Sequence, residues 1–120
     1  MLDHLGLKVK DLKKSRAFYE AALKPLGYAV VMDFGEALGI GTKQKPAFWL
    51  SQGAAGGPVH VAFDAADRKA VAAFHKAALA AGGKDNGPAG LREQYHPTYY
   101  GAFVLDPDGN NVEAVCHKPE

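Results

Sequence analysis

The sequence predicts an α+β fold made of two tandem βαβββ modules. Two observations support this prediction. First, the stretch 4–28 aligns with the stretch 60–84 without a gap, so the chain contains an internal repeat. Second, each copy begins with a strand-like apolar pattern and continues with a helix-like one. Because internal similarity at this scale identifies the structural unit, the repeat sets the architecture.

The aligned copies share nine identical positions, which include a histidine, an aspartate, an aromatic residue and a glycine. They are His4/His60, Asp11/Asp67, Lys13/Lys69, Ala17/Ala73, Phe18/Phe74, Ala21/Ala77, Ala22/Ala78, Leu23/Leu79 and Gly27/Gly83. A residue shared by both copies is expected to occupy the same position in both modules.

The first segment of each copy alternates between apolar and other residues, as a strand with one packed face does. The apolar positions are Leu5, Leu7 and Val9 in the first copy, and Val59, Val61 and Phe63 in the second. The two histidines of the repeat, His4 and His60, fall on the other face together with small or polar residues. We therefore expect both imidazoles to face away from the aliphatic packing.

An aspartate follows each of these strands and predicts the N-cap of a helix. The helices are expected to pack through Phe18 and Leu23 in the first copy, and through Val71, Phe74 and Leu79 in the second. Each helix is expected to end near Gly27 or Gly83, since glycine best tolerates the left-handed cap conformation. The predicted order is thus strand then helix, twice.

Three further strands are expected after each helix. In the first half they are 28–35, 36–42 and 47–52, with turns at Gly35-Glu36 and 43–46; in the second half they are 85–95, 99–105 and 111–117. The string Asp106-Pro107-Asp108-Gly109 between the last two is a strong hairpin-turn signal. We predict one domain over 1–120, with module one about 1–53, module two about 57–120, and a Gly/Ala-rich linker at 51–58.

Composition narrows the functional classes. The chain has 120 residues, with 14 basic and 13 acidic residues and a formal net charge of +1. With so little net charge, the sequence does not show the excess of basic residues that binding to nucleic acid or to an anionic membrane requires. The expected partner is therefore a small-molecule substrate. No apolar run reaches the roughly 20 residues of a membrane span, and the N-terminus lacks the apolar core of a signal peptide, so a cytoplasmic location is expected. Cys116 alone cannot form an internal disulfide.

Three strings carry a resemblance to a known family. They are DHLGLKVKDLKKSRAFYEAAL near the start, PVHVAFDA in the middle and FVLDPDGNNVEAV near the end. With them the chain resembles the vicinal oxygen chelate superfamily, which includes glyoxalase I, extradiol dioxygenases and bleomycin or fosfomycin resistance proteins. The resemblance implies that each module curls into a half barrel, that the two half barrels line a cavity, and that the protein forms a homodimer.

The resemblance also implies one divalent metal ion in that cavity. The residues that match the family's ligand positions are His4 on the first strand, His60 on the fifth and Glu113 on the eighth. Two imidazoles and one carboxylate suit a metal site that keeps positions open for substrate oxygens. Zinc, nickel, manganese and iron all accept such ligands, so the sequence leaves the identity of the metal open.

The chain departs from the named enzymes at two positions. The family alignment places Trp49 where the first module would supply a second carboxylate, and tryptophan cannot bind a metal ion. Metal-dependent glyoxalase I uses a carboxylate from each half, so its reaction does not transfer cleanly to this chain, and the sequence leaves open whether Trp49 abolishes it. Phe103 stands where extradiol dioxygenases carry a tyrosine, so that reaction does not transfer cleanly either.

The segment 95–100 provides further candidates. His96 and Tyr99 are candidate catalytic residues that could give or accept a proton near the metal, and Tyr100 is a candidate substrate contact. Trp49 and Phe103 are candidate substrate contacts as well, because aromatic rings can form the wall of a cavity. The alternative is a loop whose aromatic side chains only cover the edge of the barrel.

Two functions remain open at this point. The first is a glyoxalase-like, metal-dependent enzyme of the lyase, isomerase or dioxygenase type that acts on a small oxygenated substrate. The second is a non-catalytic small-molecule-binding protein of the bleomycin-resistance type. An apolar pocket around Trp49, Phe103 and the tyrosines, with no metal retained, would favour the second.

Overall fold

The computed structural model describes residues 2–119, so both terminal residues of the predicted domain lie outside the described range. It contains eight strands, two α-helices and a short 3-10 helix. In chain order these are β1 (Leu5–Val9), α1 (Leu12–Leu23), the 3-10 helix (Lys24–Leu26), β2 (Ala29–Asp33), β3 (Ala37–Thr42), β4 (Lys45–Gln52), β5 (His60–Asp64), α2 (Arg68–Ala80), β6 (Lys84–Leu91), β7 (Tyr100–Leu105) and β8 (Asn111–Cys116).

The strands form two four-stranded sheets with equivalent topology. The first sheet has the order β1-β4-β3-β2 and the second has the order β5-β8-β7-β6. In both sheets the edge strand that begins the module pairs in parallel with the last strand, and the other pairs are antiparallel. The predicted α+β fold of two βαβββ modules is therefore confirmed. Among the described residues the two sheets remain separate and do not close into a barrel.

The predicted helix starts are confirmed by their caps. The side chain of Asp11 accepts a hydrogen bond from the Lys14 amide at 3.1 Å, and that of Asp67 accepts one from the Ala70 amide at 2.8 Å. Such bonds satisfy amides that have no partner inside the helix. The two repeat-equivalent aspartates thus fix where each helix follows its strand.

The helix ends differ between the modules. Gly27 has the expected left-handed conformation with φ of 87°, but in the second module the left-handed residue is Gly82, with φ of 98°. Gly83 does not adopt the left-handed cap conformation that was predicted for it. A Cβ atom on Gly83 would lie 2.6 Å from Cε1 of Phe18, so this position needs glycine for close packing between the modules.

The packed side of the second helix also differs from the prediction in one residue. Val71 and Phe74 are buried as expected, but Leu79 is 37% exposed and Ala78 is fully buried in its place. Residues 71, 74 and 78 follow the spacing of three and four that lies on one side of a helix, whereas residue 79 lies beside that stripe.

Turn chemistry accounts for most strand boundaries. Lys43 and Gln44 both have positive φ and form the turn between β3 and β4, so β4 begins two residues earlier than predicted, at Lys45. The predicted turn at 106–109 joins antiparallel β7 and β8, and the Gly109 amide donates to the Asp106 carbonyl at 3.0 Å. Strand β6 ends at Leu91, before the predicted end, since the chain turns at 92–95.

One hydrophobic core lies between the two helices and one face of each sheet. Phe48 of the first sheet and Phe63 of the second meet edge to face with ring centroids 5.2 Å apart. Buried Tyr19 on α1 donates its hydroxyl hydrogen to the carboxylate of Asp106, which is also buried, in the turn before β8. This bond connects the two modules inside the core.

The opposite face of each sheet lies away from this core, and we call it the open face. Strand alternation places Gly6, Gly39 and Trp49 on the open face of the first sheet, and His60, Phe103 and Glu113 on that of the second. The strands that begin the modules, β1 and β5, lie at the sheet edges. No helix within residues 2–119 is both long and apolar enough to cross a membrane.

Candidate functional site

Glu113 is a buried carboxylate on the open face of the second sheet. Its neighbours in the sheet are Ala62 on β5 and Phe103 on β7. Although the helices described within residues 2–119 pack on the core side and not over the open face, Glu113 is only 1% exposed. A carboxylate is rarely buried to this extent without polar partners, because removing its charge from water is costly.

Both oxygens of Glu113 have a partner. The Oε1 atom lies 2.8 Å from Nε2 of His60, and Oε2 accepts a hydrogen bond from the hydroxyl of Tyr99. The His60 side chain is 55% exposed, so its other ring atoms face solvent. The three side chains form one hydrogen-bonded group that runs from the interior of the open face to its surface.

The backbone brings Tyr99 to Glu113 through the hairpin between β6 and β7. The amide of Arg92 donates to the Tyr99 carbonyl at 2.7 Å, and the amide of Tyr99 donates to the His96 carbonyl at 3.1 Å. Gly101 leaves room for the contact, because a Cβ atom there would lie 3.2 Å from Oε2 of Glu113 and 3.2 Å from Cε1 of Tyr99. The glycine therefore belongs to the site.

The phenol of Tyr99 is held in its neutral form. Burial, followed by its hydrogen bond to the Glu113 carboxylate, raises the pKa of Tyr99 to about 12. Both influences disfavour a second negative charge beside Glu113. At neutral pH the Tyr99 hydroxyl is accordingly a hydrogen-bond donor.

Aromatic rings and a cation surround this group. The His60 and Phe103 ring centroids are 6.2 Å apart, and the Tyr99 ring meets those of Tyr95 and His117 at 5.1 Å and 5.2 Å. The guanidinium of Arg92 lies over the Phe103 ring at 5.3 Å from its centroid. The predicted substrate contact Phe103 thus borders the buried carboxylate.

His4 lies apart from this hydrogen-bonded group. Its Nδ1 atom is 2.8 Å from Oδ1 of Asp3, and its side chain is 58% exposed. His4 and His60 line one cavity of about 300 Å³, together with Tyr28 and Phe48. Within residues 2–119, however, no three histidine, cysteine, aspartate or glutamate side chains are grouped closely enough to hold a metal ion.

Two of the three predicted metal ligands are therefore adjacent in one chain. Nε2 of His60 and Oε1 of Glu113 are donors of the types that divalent metals bind, and they lie side by side. His4 does not lie beside these two side chains in the structure. A site with all three ligands remains a prediction.

Trp49 occupies the predicted counterpart position of Glu113. It pairs with Gly6 on β1, whereas Glu113 pairs with Ala62 on β5, the repeat equivalent of Gly6. The indole is partly buried over Gly39 and stacks on Phe34 with ring centroids 6.1 Å apart and an interplanar angle of 5°. The open face of the first sheet thus carries aromatic rings where that of the second carries a carboxylate.

The remaining candidates lie away from Glu113. Tyr100 packs against the core on the opposite face of β7, and the guanidinium of Arg68 lies 5.0 Å from its ring centroid. His96 is exposed, and its Nδ1 atom accepts a hydrogen bond from the Thr98 amide at 3.2 Å. The structure brings Tyr99 to the carboxylate but brings neither Tyr100 nor His96 there.

Sequence reasoning missed Arg92. It is a single basic residue just after an irregular strand, and no spacing pattern marks it. A hairpin register that pairs position 92 with position 99 would have placed it beside Tyr99, but the irregular pairing of β6 hides that register.

The fold and the buried site together define a two-module α+β protein with a polar centre on an open sheet face. The family model of the Glyoxalase/Bleomycin resistance protein/Dioxygenase superfamily matches residues 1–114. The chain belongs to this superfamily, which agrees with the resemblance that its motifs carry.

Solved structures support the assignment. A glyoxalase/bleomycin resistance protein from Albidiferax ferrireducens is 28% identical, with 98% of this chain and 99% of that chain covered and a TM-score of 0.84. A glyoxalase-related enzyme from Fulvimarina pelagi is 22% identical, with 97% and 87% covered and a TM-score of 0.70, a likeness that shows the fold alone. No curated protein matches the sequence.

Proposed function

We propose that the chain is a glyoxalase-like enzyme that moves a proton on a small oxygenated substrate, with Glu113 at the reacting centre. The observation that supports this proposal is the pairing of a buried carboxylate with a histidine and a neutral tyrosine on an accessible sheet face. Carboxylates and histidines with specific partners in such settings are typical acid–base groups.

In this proposal Oε1 of Glu113 takes a proton from the carbon next to a substrate carbonyl. For this transfer, Oε1 must first separate from Nε2 of His60, which lies 2.8 Å away. Tyr99 keeps its hydroxyl hydrogen and holds Oε2, so the carboxylate keeps its orientation during the transfer. On a substrate that also carries a hydroxyl on that carbon, a proton shift between the two oxygens through an enediol, followed by return of the carbon-bound proton to the adjacent carbon, would complete an isomerisation without any net oxidation.

A divalent metal ion belongs to the proposal as well. His60 and Glu113 supply an imidazole nitrogen and a carboxylate oxygen, which suit zinc, nickel, manganese or iron. The bound ion would act as a Lewis acid that polarises the substrate oxygen. Because residues 2–119 of one chain provide only two adjacent ligands, the fit is incomplete without a third.

We propose that His4 of a second copy supplies this third ligand in a homodimer. The edge strands β1 and β5, which begin the modules, leave their outer hydrogen-bonding groups available for another chain. His4 directly precedes β1 and His60 begins β5. A pairing of the first module of one copy with the second module of another would bring these two edges together.

Metal content tests this part of the proposal. Apoprotein is reloaded with each of the four metals and measured by elemental mass spectrometry, with His60→Ala as the variant and His75→Ala as the control. His75 is also bonded to a carboxylate, that of Asp85 at 2.9 Å, but it lies on α2. We expect the metal to be lost in His60→Ala and retained in His75→Ala; equal retention in both would contradict the proposal.

A mixing experiment tests the origin of His4. His4→Ala and His60→Ala are each expected to lose the metal when alone. A mixed dimer of the two variants would keep one intact site, formed by the remaining His4 of one copy and the remaining His60 of the other. Recovery of metal binding on mixing supports the dimeric site, whereas no recovery places all ligands in one chain or removes the site.

Proton exchange tests the reaction without a known substrate. Small carbonyl compounds are incubated with the protein in heavy water, and loss of the C–H signals next to the carbonyl is followed by proton NMR. We expect Glu113→Gln to abolish the exchange and Glu93→Gln, a change of an exposed glutamate, to leave it intact. No exchange with the unmodified chain would contradict the enzymatic proposal.

A second candidate function is small-molecule binding of the bleomycin-resistance type. The observation that favours it is the stack of Trp49 on Phe34, which is 71% exposed, over glycines of the first sheet. Trp49 is the single tryptophan of the chain, so its fluorescence would report an aromatic ligand directly. Saturable quenching by a planar aromatic compound, without proton exchange, would favour this function.

A further inference from the structure

We propose that Arg92 binds a carboxylate group of the substrate on the open face of the second sheet. The inference rests on the proposed function of the Glu113 site and names the substrate class for it: a small molecule with a carbonyl at one end and a carboxylate at the other. The position, the surroundings and the charge of the guanidinium each support it.

The guanidinium has a defined position. It lies over the ring of Phe103 at 5.3 Å from the centroid. Its Nη1 donates to the Gly90 carbonyl at 2.9 Å, and its Nη2 donates to the Pro88 carbonyl at 2.7 Å. An arginine held by a ring and two carbonyls loses little side-chain freedom when a ligand binds, which favours affinity.

Two glycines provide the space for it. A Cβ atom on Gly87 would lie 3.1 Å from Nη2 of Arg92, and one on Gly90 would lie 3.2 Å from Nη1. The pairing of β6 with β7 is irregular at these glycines, with shifts between Asp85 and Gly87 and between Gly87 and Gly90. Such irregularities often redirect a side chain beside a functional site.

Arg92 lies on the same face as the buried carboxylate. Its backbone faces that of Tyr99 across the hairpin, where the Arg92 amide donates to the Tyr99 carbonyl. Side chains of facing residues in a hairpin project from the same side, and the Tyr99 side chain reaches Glu113. Phe103 then links the two ends, since its ring contacts both the guanidinium and the imidazole of His60.

Within the described part of the chain, the charge of Arg92 has no acidic partner. Among residues 2–119 no carboxylate forms an ion pair with it. A guanidinium carries five N–H donors, and the two carbonyls use only two of them. A partly buried cation with spare donors and no acidic partner favours an anionic ligand.

A carboxylate is the anion that these surroundings favour. It matches the planar fork of a guanidinium in shape and needs a single cation. Within residues 2–119, Arg92 is the arginine that borders the Glu113 site, over Phe103 and opposite Tyr99. The rings of Phe103 and His60 offer an apolar surface for the part of the molecule between its two polar ends.

The test compares two ligands that share a shape and differ in charge. Benzoate and benzamide are titrated into chelator-treated, isotope-labelled protein, and binding is followed by NMR. We expect benzoate to shift the signals of Arg92 and Phe103 and to saturate, with benzamide binding far more weakly. Arg92→Gln keeps amide donors for the carbonyls but removes the charge, and we expect it to lower benzoate affinity about tenfold or more.

Arg68→Gln is the matched control. Its guanidinium also lies over an aromatic ring of β7, that of Tyr100, but on the face that packs against the core. We expect Arg68→Gln to leave benzoate binding unchanged, and Arg92→Lys to retain part of the preference for benzoate. Equal binding of both ligands, an unchanged affinity in Arg92→Gln, or no saturable binding of benzoate would overturn the proposal.

These outcomes are separate from those of the proposed function. Because the titration uses metal-free protein and measures no turnover, benzoate selectivity at Arg92 can hold even if metal binding and proton exchange both fail. Conversely, proton exchange can depend on Glu113 while Arg92 plays no part in benzoate binding. That result would reject only the proposal that Arg92 binds a substrate carboxylate, and would leave the proposed function standing.

Discussion

Trp49 and Glu113 occupy equivalent positions in the two sheets and differ completely in chemistry. Trp49 pairs with Gly6 and Gly39 in the first sheet, as Glu113 pairs with Ala62 and Phe103 in the second. The repeat therefore preserved the backbone while the two open faces diverged. One face carries a buried carboxylate with its hydrogen-bond partners, and the other carries a stacked pair of aromatic rings.

The glycine at position 39 is what lets the indole lie against its sheet. A Cβ atom there would lie 2.7 Å from the Cβ of Pro46 and 3.1 Å from two atoms of the Trp49 ring. We expect Gly39→Ala to displace the indole and to lower the free energy of unfolding by roughly 2 kcal/mol, as overpacking does. Denaturant unfolding gives the energy, and the fluorescence of the single tryptophan gives the displacement.

Gly56→Ala is the control for this change. Position 56 has no heavy atom within 4 Å of a built Cβ and no positive φ, so alanine there meets open space. We expect unchanged fluorescence and unchanged or slightly higher stability. If Gly39→Ala behaves as Gly56→Ala does, the indole does not lie against the sheet as described.

The sequence predicted the fold because each of its main signals depends on neighbouring residues, and because the caps and the strand alternation occur in both modules. The caps Asp11 and Asp67, the alternation around Val61 and the turn that ends at Gly109 each depend on a few neighbouring residues. The predictions were wrong where contacts between distant parts of the chain determine the local structure. Gly83 is required by Phe18 of the other module, and the end of β6 depends on hydrogen bonds with the segment before β7.

The candidate site was predicted in part for the same reason. His60 and Glu113 follow from the repeat and from the motif after the turn, and the structure brings them together. The bond from Tyr99 to Glu113 depends on how a hairpin folds over the sheet, and the position of Arg92 depends on irregular pairing in β6. Neither relationship leaves a pattern in the sequence.

The carboxylate of Asp106 organises the turn before β8 and connects the modules. It accepts hydrogen bonds from the amides of Asp108 at 2.9 Å and Asn110 at 2.8 Å, from the side chain of Asn110 at 2.9 Å and from the hydroxyl of Tyr19. We expect Asp106→Ala to lower the free energy of unfolding by about 3 kcal/mol, because several buried donors lose their acceptor. Urea unfolding measures the loss.

Asp108→Ala tests whether the effect belongs to position 106. Asp108 accepts a long bond of 3.4 Å from the Lys10 amide, and its other oxygen is buried without a partner. Because little is lost and an unpartnered oxygen is removed, we expect a change below about 0.5 kcal/mol. Equal losses for the two variants would show that the turn sequence, not the Asp106 network, provides the stability.

The raised pKa of Tyr99 makes stability depend on alkaline pH. Its pKa is about 12 in the folded chain, against 10.0 for an unperturbed tyrosine. The folded state therefore holds this proton more tightly than the unfolded state. The contribution of Tyr99 is fully present below about pH 10 and is lost as the pH rises to about 12, because the unfolded chain ionises first.

We expect Tyr99→Phe to remove this part of the pH dependence while the contribution of buried Tyr19, whose pKa is also raised, remains. The measurement is the free energy of unfolding of both proteins across this alkaline range. Tyr95→Phe is the control, since Tyr95 is 63% exposed on the same loop and raises the pKa of Tyr99 less than burial and Glu113 do, so it should change the profile far less. Identical alkaline profiles for Tyr99→Phe and the unmodified chain would mean that the pKa of the Tyr99 phenol is not raised beside Glu113. The proposed reaction would then lack the neutral hydrogen-bond donor that it assigns to Tyr99.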